Sequence, residues 1–490
     1  LGAHPAAADF PQQHLHVLNG TMSIRPSFVF ALTALALGVA TSAAHAATPQ
    51  PRAPNVVIIL ADDLGFADVG FNGAKDIKTP HLDRLAATGM RLDRFYACPV
   101  CSPTRAGLMT GRWPIRFGLM KAVIPPWSDF GLPASETILP ELLAKAGYER
   151  RGMVGKWHLG HATQAMLPPQ RGFTHYYGHY NGAIDYFTHE REGETDWHNR
   201  NVTVKEPGHA TDIEAREAVK FIEGSPVGKP WLLYAAFTAP HDPLLPKPED
   251  VAKYPQLTGK RRDYAALVDG LDQAVGRILA AVEARPDADN TLILFMSDNG
   301  GLRAHADNTP WRDGKFSVYE GGIHVCAAIR WPAAGLAGGR KSDAMLGYID
   351  IAPTLLRAAG MPWPQGDRAF DGIDALPILQ RKAPAPERPW YSYFAQGGRP
   401  PGASVIRGDW KLVHIGGEVL SSGKAQKQEL YRLSTDPRER ADVAAEHPAV
   451  VRELAQLLAN FGTLQPAGGV AEYGEGRTGY KAPKDWLITK

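Results

Sequence analysis

The segment Cys98-Pro-Val-Cys101-Ser-Pro-Thr-Arg105 holds two thiols and a guanidinium at spacings that suit three chemistries. C-x-x-C is the spacing of a redox dithiol or of half a zinc site. It also suits a plain structural disulfide. The third reading starts from Ser102 and Pro103, an N-cap residue followed by Pro at the first helical position. Cys101 then stands just before a helix N-terminus, where backbone N–H groups and the macrodipole favour an anion. Arg105 lies one turn in and adds a permanent positive charge. No second C-x-x-C or Cys/His pair completes a zinc site, and no thioredoxin-like strand leads into the motif. The anion site therefore ranks modestly ahead, with the other two readings open.

Asp62-Asp63 and Asp298-Asn299 offer only hard oxygen ligands, which suit Ca²⁺ or Mg²⁺ rather than zinc. A single Asp-Asp pair is more often a turn. Two such clusters after separate apolar runs strengthen the metal reading. Lys156 and His158 sit in a turn bounded by Gly155 and Gly160, His241 follows an apolar run, and Lys315 follows Gly314. Singly, such residues are ordinary solvated ones. Together they supply positive charge and titratable nitrogens.

These residues need elements to position them. Asn55–Leu60 is a continuous, mostly β-branched run, as in a buried parallel strand. Trp231–Phe237 and Thr291–Met296 read likewise, the first ending in Thr238-Ala-Pro-His241 and the second in Ser297-Asp298-Asn299. Helical patterns occupy 80–89, 139–147, 211–222 and 264–282; in the last, Leu267, Leu271, Val275, Ile278 and Leu279 share one face. Alternating strands and helices predict an α/β domain with a large, mostly parallel sheet between helices. Ligands in such sheets lie beyond the C-terminal strand ends. From about Pro389 the texture changes to short strands at 390–394, 404–406 and 410–413, with a turn at Arg407-Gly408-Asp409 and a final helix over 449–461. That predicts a small antiparallel sheet covered by one helix.

The chain has 490 residues, 44% hydrophobic and 21% charged, enough for a large core and a smaller satellite. A net charge of +2 supplies no field for nucleic acid or a membrane surface. Three cysteines are too few for a disulfide scaffold, and the odd count leaves one thiol without an intramolecular partner. Met22–Arg25, the apolar run 28–39 and Ala44-His45-Ala46 form a secretory signal pattern, too short to span a membrane. The expected organisation is a mis-started extension over 1–21, a signal peptide over 22–46, a catalytic domain over 47–388 and a C-terminal α+β subdomain over 389–490. Export implies a periplasmic or secreted protein, with no membrane attachment after cleavage.

Cys101-Ser-Pro-Thr-Arg105 followed by Leu108-Met-Thr110-Gly111-Arg112 resembles the signature of the type I sulfatases, of the alkaline phosphatase-like superfamily. Further matches are Leu60-Ala-Asp62-Asp63-Leu-Gly65, Gly155-Lys156-Trp157-His158-Leu-Gly160, Ala239-Pro240-His241, Ser297-Asp298-Asn299-Gly300, and Gly314-Lys315 with Tyr319-Glu320-Gly321-Gly322. The similarity runs from Asn55 to the last helix, and Asp185-Tyr-Phe-Thr-His-Glu190 resembles the arylsulfatase B (N-acetylgalactosamine-4-sulfatase) branch. The resemblance implies oxidation of Cys101 to formylglycine by a formylglycine-generating enzyme. It implies a Ca²⁺ held by Asp62, Asp63, Asp298 and Asn299, with the modified Cys101 completing the set. It places Arg105, Lys156, His158, His241 and Lys315 around the sulfate of an aryl or carbohydrate ester. Trp157 is read as packing.

Rival readings are a phosphate- or phosphonate-ester hydrolase of the same superfamily, a non-catalytic binder of sulfated glycans, and a dithiol oxidoreductase. Ile323-His324-Val325-Cys326 and Trp311-Arg312-Asp313 depart from the family pattern, and the second is expected to alter the pocket wall. Cys326 is expected in or beside a strand over 325–329. The segment from His175 to His189, rich in Tyr and His, suits a sugar subsite or ordinary packing equally.

Overall fold

The computed structural model describes residues 52–490. The expected extension and signal peptide, 1–46, lie outside the described residues. Ten strands form the main sheet: β1 (Asn55–Ala61), β2 (Met90–Leu92), β3 (Arg150–Lys156), β4 (His175–His179), β5 (His198–Asn199), β6 (Val202–Thr203), β7 (Trp231–Ala236), β8 (Thr291–Ser297), β9 (Ala327–Arg330) and β10 (Arg340–Ser342). Their order is β10-β2-β9-β8-β1-β7-β3-β4-β5-β6. The central five, β8 to β4, are all parallel, flanked by antiparallel pairs. Their C-terminal ends therefore share one edge.

β1 explains the two-sided burial. Val56, Ile58 and Leu60 enter one core cluster, while Val57, Ile59 and Ala61 enter the other. Successive side chains of a strand point to opposite faces, so an unbroken apolar run demands cover on both. One face is covered by α1 (Pro80–Thr88), α4 (Ala210–Glu223) and α5 (Gly259–Glu283); the other by α2 (Cys101–Thr110), α3 (Leu139–Lys145) and α6 (Ile351–Ala358). The apolar face expected of α5 is buried throughout, although that helix starts five residues before Tyr264.

β3 has no counterpart among the expected strands. Its sequence, Arg-Arg-Gly-Met-Val-Gly-Lys, lacks the apolar run, and its glycines have steric reasons. A Cβ on Gly152 would meet the Phe221 ring at 2.6 Å, and one on Gly155 (φ +91°) the Ala236 carbonyl oxygen at 2.1 Å. Glycine is the residue that fits where another backbone or ring closes in.

The smaller sheet is an antiparallel meander of β11 (Trp390–Phe394), β12 (Gly402–Arg407), β13 (Trp410–Gly417) and β14 (Ala425–Arg432). β14 was not expected, because its exposed half alternates Gln and Lys. α7 (Pro448–Gly462) covers the sheet through Leu454, Ala455 and Leu458. Beyond it, residues 464–490 run back over the larger sheet's side: Gly118 O accepts from Val470 N, and Lys490 O from Gln164 N. Among the described residues, no helix is long and apolar enough to cross a membrane.

Candidate active site

Five element ends converge at the C-terminal edge of the parallel strands. β1 runs into Asp62 and Asp63, β3 ends on Lys156 with His158 two residues on, β7 leads to His241, β8 leads to Asp298 and Asn299, and α2 begins at Cys101. The helix starts earlier than expected: Val100, not Ser102, is the N-cap, and Cys101 is the first helical residue. Ser102 Oγ is engaged elsewhere, accepting from Ile124 N at 3.1 Å. Pro103 still lies in the first turn, where its missing N–H costs no hydrogen bond.

Cys101 Sγ lies 3.4 Å from Asp62 Oδ1 and 4.0 Å from Asp63 Oδ1. Arg105 donates to Asp298 Oδ2 from Nε (3.0 Å) and Nη2 (2.7 Å), and to the Lys156 carbonyl from Nη1 (2.9 Å). Lys156 Nζ donates to Asp62 Oδ2. Lys315 Nζ donates to Asp63 Oδ2 at 2.7 Å and to His241 Nε2 at 3.0 Å. All ten residues expected at the site thus lie together, and all but His241 are buried.

Burial alone would raise Asp63, but Lys315, His241 and Lys156 outweigh it and hold that carboxyl below its usual range. Asp298 moves the other way, to about 6, through burial and the neighbouring Asp62 charge against Arg105. Burial, then Asp298, push the Cys101 thiol well up. Both histidines are neutral. Burial and then Lys315 lower His241 to about 3; burial, then Lys156 and Arg105, hold His158 well below its ordinary value. His158 Nε2 is 3.0 Å from the Ile124 carbonyl, so a neutral ring donates there and leaves Nδ1 as a buried acceptor with no partner. Asp63 and His158 both adopt positive φ (65° and 56°), a strained region for such side chains.

The oxygen donors Asp62, Asp63, Asp298 and Asn299 suit a hard divalent cation, with the softer Cys101 thiol and His241 imidazole beside them. Ligand atoms of Asp62, Asp63, Cys101 and His241 lie within 4.8 Å of one another. Asn299 Nδ2 donates to Asp63 Oδ1 at 2.8 Å, while its Oδ1 is buried and has no partner among the described residues. A carbonyl oxygen orphaned beside carboxylates is what a cation would satisfy. Cys98 takes no part: its Sγ donates to Tyr348 Oη at 3.1 Å, and it forms no disulfide with Cys101. The structural disulfide is not formed, and burial pushes the Cys98 thiol up to about 12, the opposite of the lowered thiol of a redox dithiol.

The site opens into a cavity of about 410 Å³ whose lining includes Cys101, His158, His241, Lys315 and Phe316. Trp311, Arg312 and Asp313 do not line it, contrary to expectation. Arg312 instead lies 3.7 Å from the Tyr319 ring centroid and donates to Tyr431 Oη at 2.7 Å. The aromatic side chains of the 175–189 segment pack: Tyr176, Tyr180, His179 and His189 are all but fully buried and do not line the cavity, which the segment reaches through Gly182 and Ala183. Trp157 is buried and Cys326 immediately precedes β9, both as expected.

Residues 54–361 match the family model described as Sulfatase. The chain belongs to the sulfatase family. It is a sulfuric ester hydrolase of the alkaline phosphatase-like superfamily, with the mixed sheet and small C-terminal sheet expected. Residues 308–463 match a second model, N-sulphoglucosamine sulphohydrolase, C-terminal. Among sulfatase relatives, mouse (Mus musculus) N-acetylgalactosamine-6-sulfatase is 35% identical over 71% of this chain and 70% of its own. Human (Homo sapiens) arylsulfatase A is 31% identical over 87% and 89%. The crystal structure of Ps i-CgsB superposes with a TM-score of 0.79 at 31% identity, covering 87% of this chain and 96% of that one. The same protein is also known in complex with k-i-k-neocarrahexaose.

Sequence reasoning missed the residues behind and around this sulfatase site. Glu214 of α4 is fully buried below it, accepting from Thr238 Oγ1 at 2.9 Å, and His179 Nε2 lies 2.8 Å from the same hydroxyl. Arg191, Gln396 and Tyr473 line the cavity without belonging to any motif. Nothing in the sequence singles out Glu214, since Thr211 and Glu217, one turn to either side, share its buried helix face.

Proposed function

We propose that this sulfatase cleaves sulfate monoesters of carbohydrates, with a nucleophile made by oxidising Cys101 to formylglycine and a bound Ca²⁺. The observation that carries the reading is the pairing of Cys101 with two unspent groups, His158 Nδ1 and Asn299 Oδ1, in one buried cluster of three carboxylates and three cations. The carbohydrate assignment rests on the relatives, one named for N-acetylgalactosamine 6-sulfate and another bound to a neocarrahexaose.

Asp62, Asp63, Asp298 and Asn299 would hold the cation beside residue 101. The aldehyde hydrate supplies a hydroxyl nucleophile, whose pKa a divalent cation lowers. Arg105 fixes Asp298 through two bonds to one oxygen. Lys156 and Lys315 balance charge on the sulfuryl oxygens as it develops. Lys315 hands a proton to the leaving oxygen, since it remains charged and its neighbour His241 is neutral. His241 accepts from Lys315 and so aims the ammonium. With sulfur passed to one hydroxyl of residue 101 as its bond to the alcohol oxygen breaks, His158 Nδ1 would take the proton of the other hydroxyl, so that cleavage of the C–O bond to the sulfate frees it and restores the aldehyde.

Maturation then requires a formylglycine-generating enzyme, and export to the periplasm or medium fits the N-terminal signal pattern. Residues 47–388 are read as the catalytic domain and 389–490 as its C-terminal subdomain, supported by the separate four-stranded sheet. The test is mass spectrometry of the Cys101 peptide from a host able to make formylglycine, alongside turnover of nitrophenyl sulfate and nitrophenyl phosphate. The aldehyde or its hydrate is expected, with sulfate hydrolysed faster. An intact thiol in protein that still hydrolyses the sulfate would overturn the mechanism.

A further inference from the structure

Three residues from distant parts of the chain, Arg191, Gln396 and Tyr473, line the same cavity as Cys101, His158 and Lys315. Arg191 belongs to a short hairpin, Glu190–Arg191 with Glu194–Thr195. Its Nε is shielded from solvent yet has no hydrogen-bond partner among the described residues. Its ion pair with the adjacent, half-exposed Glu192 is long, 3.4 Å from Nε to Oε1, and forms no hydrogen bond. Gln396 spends its Oε1 on Val123 N at 2.9 Å, so its amide Nε2 donors remain available.

These donors are held, not loose. Trp486, fully buried, donates from Nε1 to the Arg191 carbonyl at 2.9 Å, and Asp485 N donates to Glu194 Oε2 at 2.9 Å. Tyr473 is fixed through its carbonyl, which accepts from Trp127 Nε1 at 2.8 Å, and by edge contact of the two rings at 5.3 Å. Residues 464–490, beyond the span of either family model, thus brace the cavity wall. Tyr473, Phe316 and Val123 give that wall apolar surface for a sugar face, and Arg191 gives it a charged donor with unsatisfied hydrogen-bonding capacity.

We propose that Arg191, supported by Gln396 and Tyr473, forms a second anion subsite, which recognises a further sulfate or a carboxylate on the carbohydrate whose scissile sulfate sits at Cys101. This rests on the sulfatase reading. The Arg191 Nε, shielded and without a hydrogen bond, gains most from a fully ionised oxyanion, which would compete with the half-exposed Glu192 carboxylate 3.4 Å away. A neutral hydroxyl would satisfy the geometry but not the charge.

The experiment compares kcat/KM for four substrates: nitrophenyl sulfate, galactose 6-sulfate, a disulfated galactose, and a monosulfated disaccharide carrying a uronate. The wild-type enzyme is expected to favour the second anion over galactose 6-sulfate by about 10- to 100-fold, the range for a charge-assisted hydrogen bond. Which of the two anionic substrates gains identifies sulfate or carboxylate as the group read. Arg191→Gln should bring the ratio to about one, and Arg191→Lys should keep part of it. A wild-type ratio near one overturns the subsite whether or not the variants fold. So does a preference that survives in a folded Arg191→Gln enzyme. Failure to hydrolyse any of the four, nitrophenyl sulfate included, would instead overturn the sulfatase reading.

Discussion

Glu214 is a carboxyl buried where no cation touches it, and burial pushes its pKa up to about 8, with Asp62 adding to the shift against the Thr238 hydrogen bonds. In the unfolded chain the same group titrates near 4.3. Between those values the folded state holds a proton that the unfolded state has lost, so stability falls as pH rises through this window. The slope is at most about 1.4 kcal/mol per pH unit for one group. Glu214→Gln keeps an acceptor for Thr238 and removes the titration. Its urea midpoint should come nearest to wild type at about pH 4, at the low edge of that window, and exceed it at about pH 8; a gap that is equal at both values would show that Glu214 is already ionised. At this scale the reacting residues were legible because their chemistry is rare at those spacings: two acidic clusters, Gly-bounded Lys156 and His158, and Cys101 ahead of Arg105. Arg191 and Tyr473 were not, since an arginine in a hairpin and a tyrosine in a tail look like any surface residue until folding brings them to one cavity.

Elements were legible where one physical demand dominated. β1, β7 and β8 are buried on both faces, so their sequences are nearly pure apolar runs. β3 carries Lys156, yet close backbone and ring approach dictated glycine at two of its positions, which erased the signal. The same competition sets the junction between β13 and the turn that carries Lys315. Lys411 of β13 is fully buried, with Glu320 Oε1 and Glu439 Oε1 each 2.8 Å from its Nζ. Glu320 also takes Tyr96 Oη at 3.0 Å and His324 Nδ1 at 2.9 Å. Removing the cation alone leaves two carboxylates buried without their counterion, which costs about 3–5 kcal/mol. Lys411→Met should lower stability by that order in urea unfolding, and kcat/KM should fall because Glu320 follows Lys315 by five residues in the same turn. Adding Glu320→Gln and Glu439→Gln to Lys411→Met should restore most of the lost stability; no recovery would place the loss in packing rather than charge.

Over the whole molecule, the sheet order brings Asp62 and Asp63 from the end of β1 against Asp298 and Asn299 from the end of the neighbouring β8, with α2 delivering Cys101 above them. Segments more than 200 residues apart in sequence therefore meet in a few ångströms, and no reading of local pattern could fix that distance. Lys156, Lys315 and Arg105 pair with the three carboxylates, yet among the described residues Asn299 Oδ1 has no partner, and Asp298 is held up near 6 by burial and by its like-charged neighbour Asp62. A cation bound there would stabilise the folded state and not the unfolded chain, in which the ligands are dispersed. At a hundredfold excess over Kd the gain is about 2.7 kcal/mol, a rise in Tm of about 3 °C for a chain of this length. Calcium added to chelator-treated protein should produce that rise in calorimetry, independent of any substrate. Asn299→Ala should lose most of it, because the deleted oxygen has no other partner while its amide nitrogen bonds only Asp63 and the Gly300 carbonyl. A melting point indifferent to Ca²⁺, Mg²⁺ and chelator alike would remove the cation from the site and leave the three lysine and arginine partners as its only counter-charge.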